Sequence, residues 1–397
     1  MPDTINVALI GSKFMGRTHS NAYVNAPRFF DLPVDPVMHT IAARDAEDLA
    51  RFAPKWGWQE FSTDWRSICE NPEIGLVDVG TPNHVHREQA VAALEAGKHV
   101  ACEKPLAGTL EDAKAMAAAA AERPGQKTFC WYNYRRCPAV AYAHRLVREG
   151  KLGRIFHVRA AYLQDWGGPE TPLLWRFQSD QAGSGAHGDL NAHIIDMARF
   201  ITGEAVTEVV GSIEETFIKQ REIVEDAGGE ISGGGAIKSG EKKMGESTVD
   251  DAVLFLARMS GGAVASFEAT RLSTGDKNAN RIEIHGEHGA IKFNFERMNE
   301  LEWYDNTLPG AQQGWSTINV TRGDDGHPFA GAWWPASHII GYEHGFVNQV
   351  ADMMAVLAGK EPVVPIPDFA DALETQKVLE AAMVSARERR AVTVSDL

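Results

Sequence analysis

Between residues 5 and 132, five short apolar runs (5–10, 38–42, 74–79, 99–103 and 128–132) alternate with four stretches of helical spacing at 14–25, 46–52, 86–96 and 110–121. No other feature of the chain limits its fold so tightly. Short apolar runs read as strands buried on both faces, and a helix between each pair returns the chain to the same edge, so the strands lie parallel as βαβ units. Such a sheet holds ligands outside the carboxyl ends of its strands. The chemistry is therefore sought at those ends.

Beyond about residue 150 the pattern changes. Strand-like runs at 155–163, 205–215, 252–259, 263–270, 281–286 and 290–295 follow one another mostly without helices, which predicts a largely antiparallel sheet. A helix over 188–201 interrupts them, and helices over 345–357 and 370–389 close the chain. The 397 residues thus divide into an expected α/β domain over 1–135 and an α+β domain over 136–397. Seven glycines in the polar stretch 223–249 leave too little apolar surface for a packed element and predict an exposed excursion between strands.

Composition narrows the partners. The formal charge of −15 opposes nucleic-acid backbones and anionic membranes alike. No secretory signal and no membrane-length apolar run is read, so a cytoplasmic location is expected. Cys69, Cys102, Cys130 and Cys137 lack paired CxxC spacing, which predicts neither a zinc site nor a disulfide framework.

Three segments carry candidate chemistry. The turn Gly11-Ser12-Lys13-Phe14-Met15-Gly16 follows the first strand and opens a helix, where free N–H groups and the helix dipole can hold a pyrophosphate. Lys13 replaces the middle glycine of the dinucleotide fingerprint, and an ordinary strand-to-helix turn is the other reading. After the second strand, Ala43 removes the usual acid and Arg44 can clamp a 2′-phosphate, tilting the choice toward NADP, while Asp45 keeps NAD open. Glu103-Lys104-Pro105 ends the 99–103 strand at the ligand edge, or forms a plain surface turn. In 183–196, Leu190, Ile194, Met197 and Ile201 make an apolar stripe, and Asp189, His193 and Asp196 line the neighbouring one. A carboxylate one turn from an imidazole suits acid/base work. The competing readings are a helix cap with a core histidine and a metal site, the latter lacking a second ligand cluster. His187 bounds the pocket at most. Tyr134, Arg135, Gln164, Asp165, Trp166, Trp175 and Arg176 supply aromatic faces and donors suited to a polyhydroxylated ligand, although aromatics also build plain core.

Taken together, the 11–16 turn with His19, Thr81-Pro82-Asn83-His84-Val85-His86, Ala96-Gly97-Lys98-His99-Val100 leading into Glu103-Lys104-Pro105, and Asp189 with His193 resemble the Gfo/Idh/MocA oxidoreductases. The resemblance spans nearly the whole chain. It implies an N-terminal Rossmann dinucleotide-binding domain and a C-terminal α+β domain with a large, mainly antiparallel open-faced sheet that builds homodimers or homotetramers. It implies Lys104, Asp189 and His193 as the catalytic set, a nicotinamide near Thr81, Pro82, Asn83 and His86, and Glu103 close to its ribose. The runs 162–166, 175–177 and 183–186 are similar to those of levoglucosan dehydrogenase and related sugar dehydrogenases, which oxidise a secondary ring alcohol, often at C3. The implied activity is NAD(P)-dependent oxidation of a sugar, anhydrosugar, glycoside or cyclic polyol to a ketone. Two alternatives on this fold are a glycosidase that oxidises C3 transiently with bound NAD and a non-catalytic cofactor sensor.

Overall fold

The computed structural model describes residues 3–224, 243–323 and 326–397. Its chain divides into two compact units, one running to Arg136 and taking in Gly341–Leu373, the other running from Cys137 to Ile340 and resuming at Glu374.

The first unit is a six-stranded sheet. Its elements are β1 (Asp3–Ile10), α1 (Phe14–Phe29), β2 (Val34–Ala42), α2 (Ala46–Trp56), β3 (Glu60–Ser62), α3 (Arg66–Glu70), β4 (Leu76–Val79), α4 (His86–Glu95), β5 (His99–Cys102), α5 (Leu110–Ala121) and β6 (Thr128–Cys130). The strand order is β3-β2-β1-β4-β5-β6 with every pair parallel. The order reverses at β1 and β4, the switch point where doubly wound sheets bind ligands. Val7, Ala8 and Leu9 of β1 are fully buried, as a central strand covered on both faces requires. Local sequence sets the helix starts: Asp45 caps α2 by accepting from Asp48 N–H, and Thr109 caps α5 by accepting from Asp112 N–H. The alternation predicted five strands. The sixth, β3, is three residues long and exposed or half-exposed, so it leaves no apolar run.

Helix Tyr342–Leu357 belongs to this unit as well. Phe346 lies against Trp131 and His19, and the buried pair Arg136–Asp352, 3.2 Å apart, ties the helix to the end of the sheet. The domain limits expected from the sequence leave this segment with the second unit.

The second unit contains α6 (Pro138–Arg148), β7 (Ile155–Leu163), α7 (Ser179–Ala182), α8 (Ala192–Thr202), β8 (Val206–Glu215), β9 (Gln220–Glu222), β10 (Met244–Glu246), β11 (Ala252–Met259), β12 (Val264–Thr270), β13 (Ala279–Gly286), β14 (Gly289–Asn294), β15 (Glu300–Asp305), β16 (Trp315–Asn319) and β17 (Val392–Thr393). Nine strands form one sheet in the order β16-β15-β14-β13-β7-β12-β11-β8-β17. All pairs are antiparallel except β7 with β12. Strand β11 alternates from Val253 onward, with Val253, Phe255 and Ala257 buried and Leu254, Leu256 and Arg258 exposed. One face is therefore core and the other open.

Two expectations need correction here. The 223–249 excursion has paired ends: β10 and β9 form an antiparallel ribbon, and Ser247 and Val249 are buried, while 225–242 lies outside the described residues. The 188–201 helix begins as a π-helical turn, His187–Asn191, and becomes α-helical at Ala192, whose N–H reaches back to the His187 carbonyl. The helix is buried nearly all round, and the stripe that carries His193 and Asp196 is buried with it. Among the described residues no helix is long and apolar enough to cross a membrane.

Candidate functional site

Three strand ends meet at the carboxyl edge of the first unit's sheet. Gly11 leaves β1 at φ +118°, where a methyl group would lie 2.6 Å from the Gly80 carbonyl oxygen; on Gly16 it would lie 2.3 Å from the Gly11 carbonyl oxygen. Both positions require glycine, and α1 starts close beneath the strand. Lys13 provides no side-chain cap and the first turn of α1 has no acid. Its N–H groups and the positive end of the helix dipole are thus left for an anion, which fits a dinucleotide pyrophosphate. The Lys13 ammonium lies 3.1 Å from Asp48 Oδ2, which also accepts the Ser12 hydroxyl at 2.9 Å. Burial pushes the Asp48 carboxyl up, but hydrogen bonds from Ser12 and Lys13 and the charges of Lys13 and Arg51 outweigh it and hold it below its ordinary value. Phe14 and Met15 are half-buried, Phe14 stacked on Tyr342. At the end of β2, Arg44 is exposed, whereas Asp45 is occupied as the cap of α2.

His86 joins the other two loops. Its Nε2 is 2.9 Å from the Thr81 carbonyl, and its Nδ1 is 3.2 Å from the carbonyls of both Pro105 and Leu106. Complete burial holds its pKa below the ordinary value. Thr81 and Pro82 are half-buried and Asn83 buried in the first loop; in the second, Lys104 is half-buried and the Lys104–Pro105 peptide is cis.

The Glu103 carboxylate is buried with two protein partners. Its Oε1 lies 2.9 Å from His19 Nε2 and its Oε2 accepts the Lys104 N–H at 3.0 Å. His19 Nδ1 lies 3.0 Å from Asp78 Oδ2, and Asp78 also accepts from the Tyr23 hydroxyl and the Trp131 indole, each at 2.9 Å. Burial pulls the His19 pKa down, yet the charge and hydrogen bond of Asp78, and then those of Glu103, outweigh it and raise the pKa to about 9. A buried imidazolium thus sits between two carboxylates beneath the loop that carries Lys104.

In the second unit the π-turn presents Asp189, with about a quarter of its side chain exposed, and the first turn of α8 carries His193, buried beside the Tyr162 ring at 5.8 Å. The turn is held from behind. Asp250 accepts the N–H groups of Gly185 at 2.7 Å and His187 at 2.8 Å, and the fully buried His187 ring lies 2.9 Å from the Leu379 carbonyl and from Asn191. His187 is thus structural. Gln164 accepts from the Trp166 indole at 2.5 Å and donates to Asn278 at 2.9 Å. The Arg176 guanidinium lies over the Trp175 ring at 4.5 Å. Trp166, Phe177, Leu174 and Val249 form an apolar cluster.

Two residues offered as sugar contacts have their charges engaged elsewhere. Arg135 is buried and pairs with Asp371 at 2.6 Å, and Asp165 pairs with the exposed Lys277 at 2.6 Å. Tyr134 is buried. Asp48, Asp250, Arg221 and Arg271 leave no spacing signal in the sequence, because each is a single polar residue whose partners lie on distant elements. Among the described residues no group of three or more His, Cys, Asp and Glu side chains is placed to hold a metal ion.

Comparison with known proteins gives the following. Residues 5–130 match the model of an oxidoreductase family with an NAD-binding Rossmann fold, and residues 140–292 match the GFO/IDH/MocA C-terminal domain. Levoglucosan dehydrogenase of Pseudarthrobacter phenanthrenivorans is 40% identical over 396 residues, 99% of each chain. An oxidoreductase domain protein from Kribbella flavida superposes with a TM-score of 0.91 at 47% identity, covering 99% of this chain and 100% of that one. A levoglucosan dehydrogenase structure in complex with NADH and levoglucosan gives 0.89 at 39% identity, again over 99% and 100%.

Proposed function

The chain belongs to the Gfo/Idh/MocA oxidoreductase family, and from that premise we propose that it oxidises a secondary ring hydroxyl of a sugar, anhydrosugar, glycoside or cyclic polyol to the ketone with NAD or NADP. The end-to-end similarity to levoglucosan dehydrogenase carries this reading. When bound, the nicotinamide supplies the hydride acceptor. Lys104, Asp189 and His193 are the proposed catalytic set. His193 takes the proton of the reacting hydroxyl, the Lys104 ammonium donates a hydrogen bond to its oxygen as negative charge develops there, and the Asp189 carboxylate accepts from a sugar hydroxyl. Gln164, Trp166, Trp175 and Arg176 are the proposed sugar contacts, and Gly11, Gly16 and the start of α1 hold the pyrophosphate.

Cofactor choice turns on β2. The exposed Arg44 and the engaged Asp45 favour NADP, although the relative's structure holds NADH. If Arg44 holds the 2′-phosphate, Arg44→Ala weakens NADPH about tenfold, the worth of one charged hydrogen bond, and leaves NADH unchanged; equal effects on both assign Arg44 no role in the choice. We also propose a homodimer or homotetramer built on the open face of the large sheet. There Ile213, Leu254 and Leu256 stand exposed beside Arg159, Glu268, Arg281 and Glu283, a mixed face that a second copy can match.

The test is a panel of cyclic sugars, anhydrosugars and inositols with each cofactor, followed by the absorbance of the reduced form. Steady production with at least one substrate is expected, and none across the panel refutes the reading. His193→Ala and Lys104→Ala should keep NADH affinity and lose about 10² to 10⁴-fold in turnover.

A further inference from the structure

The carboxylate proposed to hold the sugar is itself held by an arginine. Arg271 follows β12 and is 2% exposed. Its Nη2 donates to Asp189 Oδ2 at 2.7 Å and to the Gly185 carbonyl at 3.2 Å, and its Nη1 donates to the Arg176 carbonyl at 3.4 Å. The guanidinium carbon lies 5.0 Å from the Trp166 ring centroid and 5.6 Å from that of Phe177. The Arg271 carbonyl also accepts the Gly167 N–H at 2.9 Å. One side chain thus touches the Trp166 turn, the Arg176 turn, the loop before the π-turn and Asp189.

We propose that Arg271 is the positioning residue of the sugar site, fixing the direction of the Asp189 carboxylate and the spacing of the Trp166 and Arg176 turns around it. A buried guanidinium is always charged and requires a counter-charge, and its planar fork of N–H groups fixes the geometry of what it binds. A second buried cation, Arg221, stacks on the same Phe177 ring at 3.6 Å but pairs with its own carboxylate, Asp251, at 3.2 Å. Asp189 is therefore the carboxylate that answers Arg271, and the ion-paired group serves as a directed acceptor for a hydroxyl. This inference rests on the sugar-oxidoreductase reading above.

The experiment is a double-mutant cycle on the NADH-loaded protein, read as levoglucosan affinity by calorimetry, or as affinity for the best-oxidised sugar of the panel if that is another. Arg271→Met should weaken the sugar about 10- to 10²-fold, the worth of a hydrogen bond to a well-directed charged group, with NADH affinity within about twofold. In the Asp189→Asn background the same substitution should cost less than about threefold, because paired residues share their effect. Arg271→Lys, which keeps the charge and loses the fork, should recover part of the affinity, and it replaces Arg271→Met in the cycle if that variant does not fold. Unchanged sugar affinity, or an equal loss in both backgrounds, overturns the inference. A wild type that oxidises no sugar of the panel refutes the functional reading and this inference with it; an active wild type with an indifferent Arg271 refutes the inference alone.

Discussion

Replacing His19 by glutamine tests the buried charge beneath the Lys104 loop. The imidazole is fully buried with Asp78 on one nitrogen and Glu103 on the other, and its pKa rises from 6.5 to about 9. At about 1.4 kcal/mol for each pH unit, that rise amounts to about 3 kcal/mol favouring the folded state. Because the folded value is the higher one, this stabilisation is complete below pH 6.5 and is lost as pH climbs through about 9. Urea unfolding from pH 6 to 9.5, followed by tryptophan fluorescence and circular dichroism, should show wild-type stability falling by about 3 kcal/mol across that window. His19→Gln should start lower and stay nearly level to about pH 9. Burial also raises the Tyr23 and Cys102 acid groups, which adds an alkaline loss common to both proteins, so the difference between the two curves is the diagnostic. A wild type as flat as the variant between pH 6.5 and 9, or a variant that falls in parallel with it, would show that no imidazolium is held there.

Two further outcomes follow from close contacts. Gly16→Ala sets a methyl group 2.3 Å from the Gly11 carbonyl oxygen, so it should cost about 1–3 kcal/mol of stability through strain and weaken NADH at least about tenfold; wild-type affinity by fluorescence titration would mean the turn does not cradle the pyrophosphate. Asp250→Asn removes one of the two acceptors facing the Gly185 and His187 N–H groups and should lower stability by about 2 kcal/mol, with an unchanged melting temperature counting against that anchoring role.

The parallel half of the fold was legible because each of its longer strands is a continuous apolar run closed by a helix. What escaped there was β3, too short and too exposed to interrupt the local pattern. In the second unit, alternation revealed the inner strands, while β15 and β16, rich in half-exposed polar and aromatic residues, have no single buried face to announce them. The π-turn was illegible for a different reason: one residue added per turn changes the hydrogen-bond partner without changing which residue types are tolerated. At the candidate site, Gly11, Lys104, Asp189 and His193 stand out through motif and position. Asp250 and Arg271 matter only through partners some 60 to 90 positions away. The charges of Arg135 and Asp165 were visible, but not that Asp371 and Lys277 would claim them.

The ion pair between Arg136 and Asp352 spans 216 positions, and Arg136 also donates to the carbonyls of Val364 and Pro365. During synthesis, then, the nucleotide-binding half cannot close when its own six strands have left the ribosome. It waits, with a charged guanidinium and the side of Trp131 uncovered, until residues 342–365 have been made. A gene fragment stopped near codon 136 should therefore yield a sticky, incomplete protein, and any dissection into separately expressed halves has to carry the distant helix back to the first.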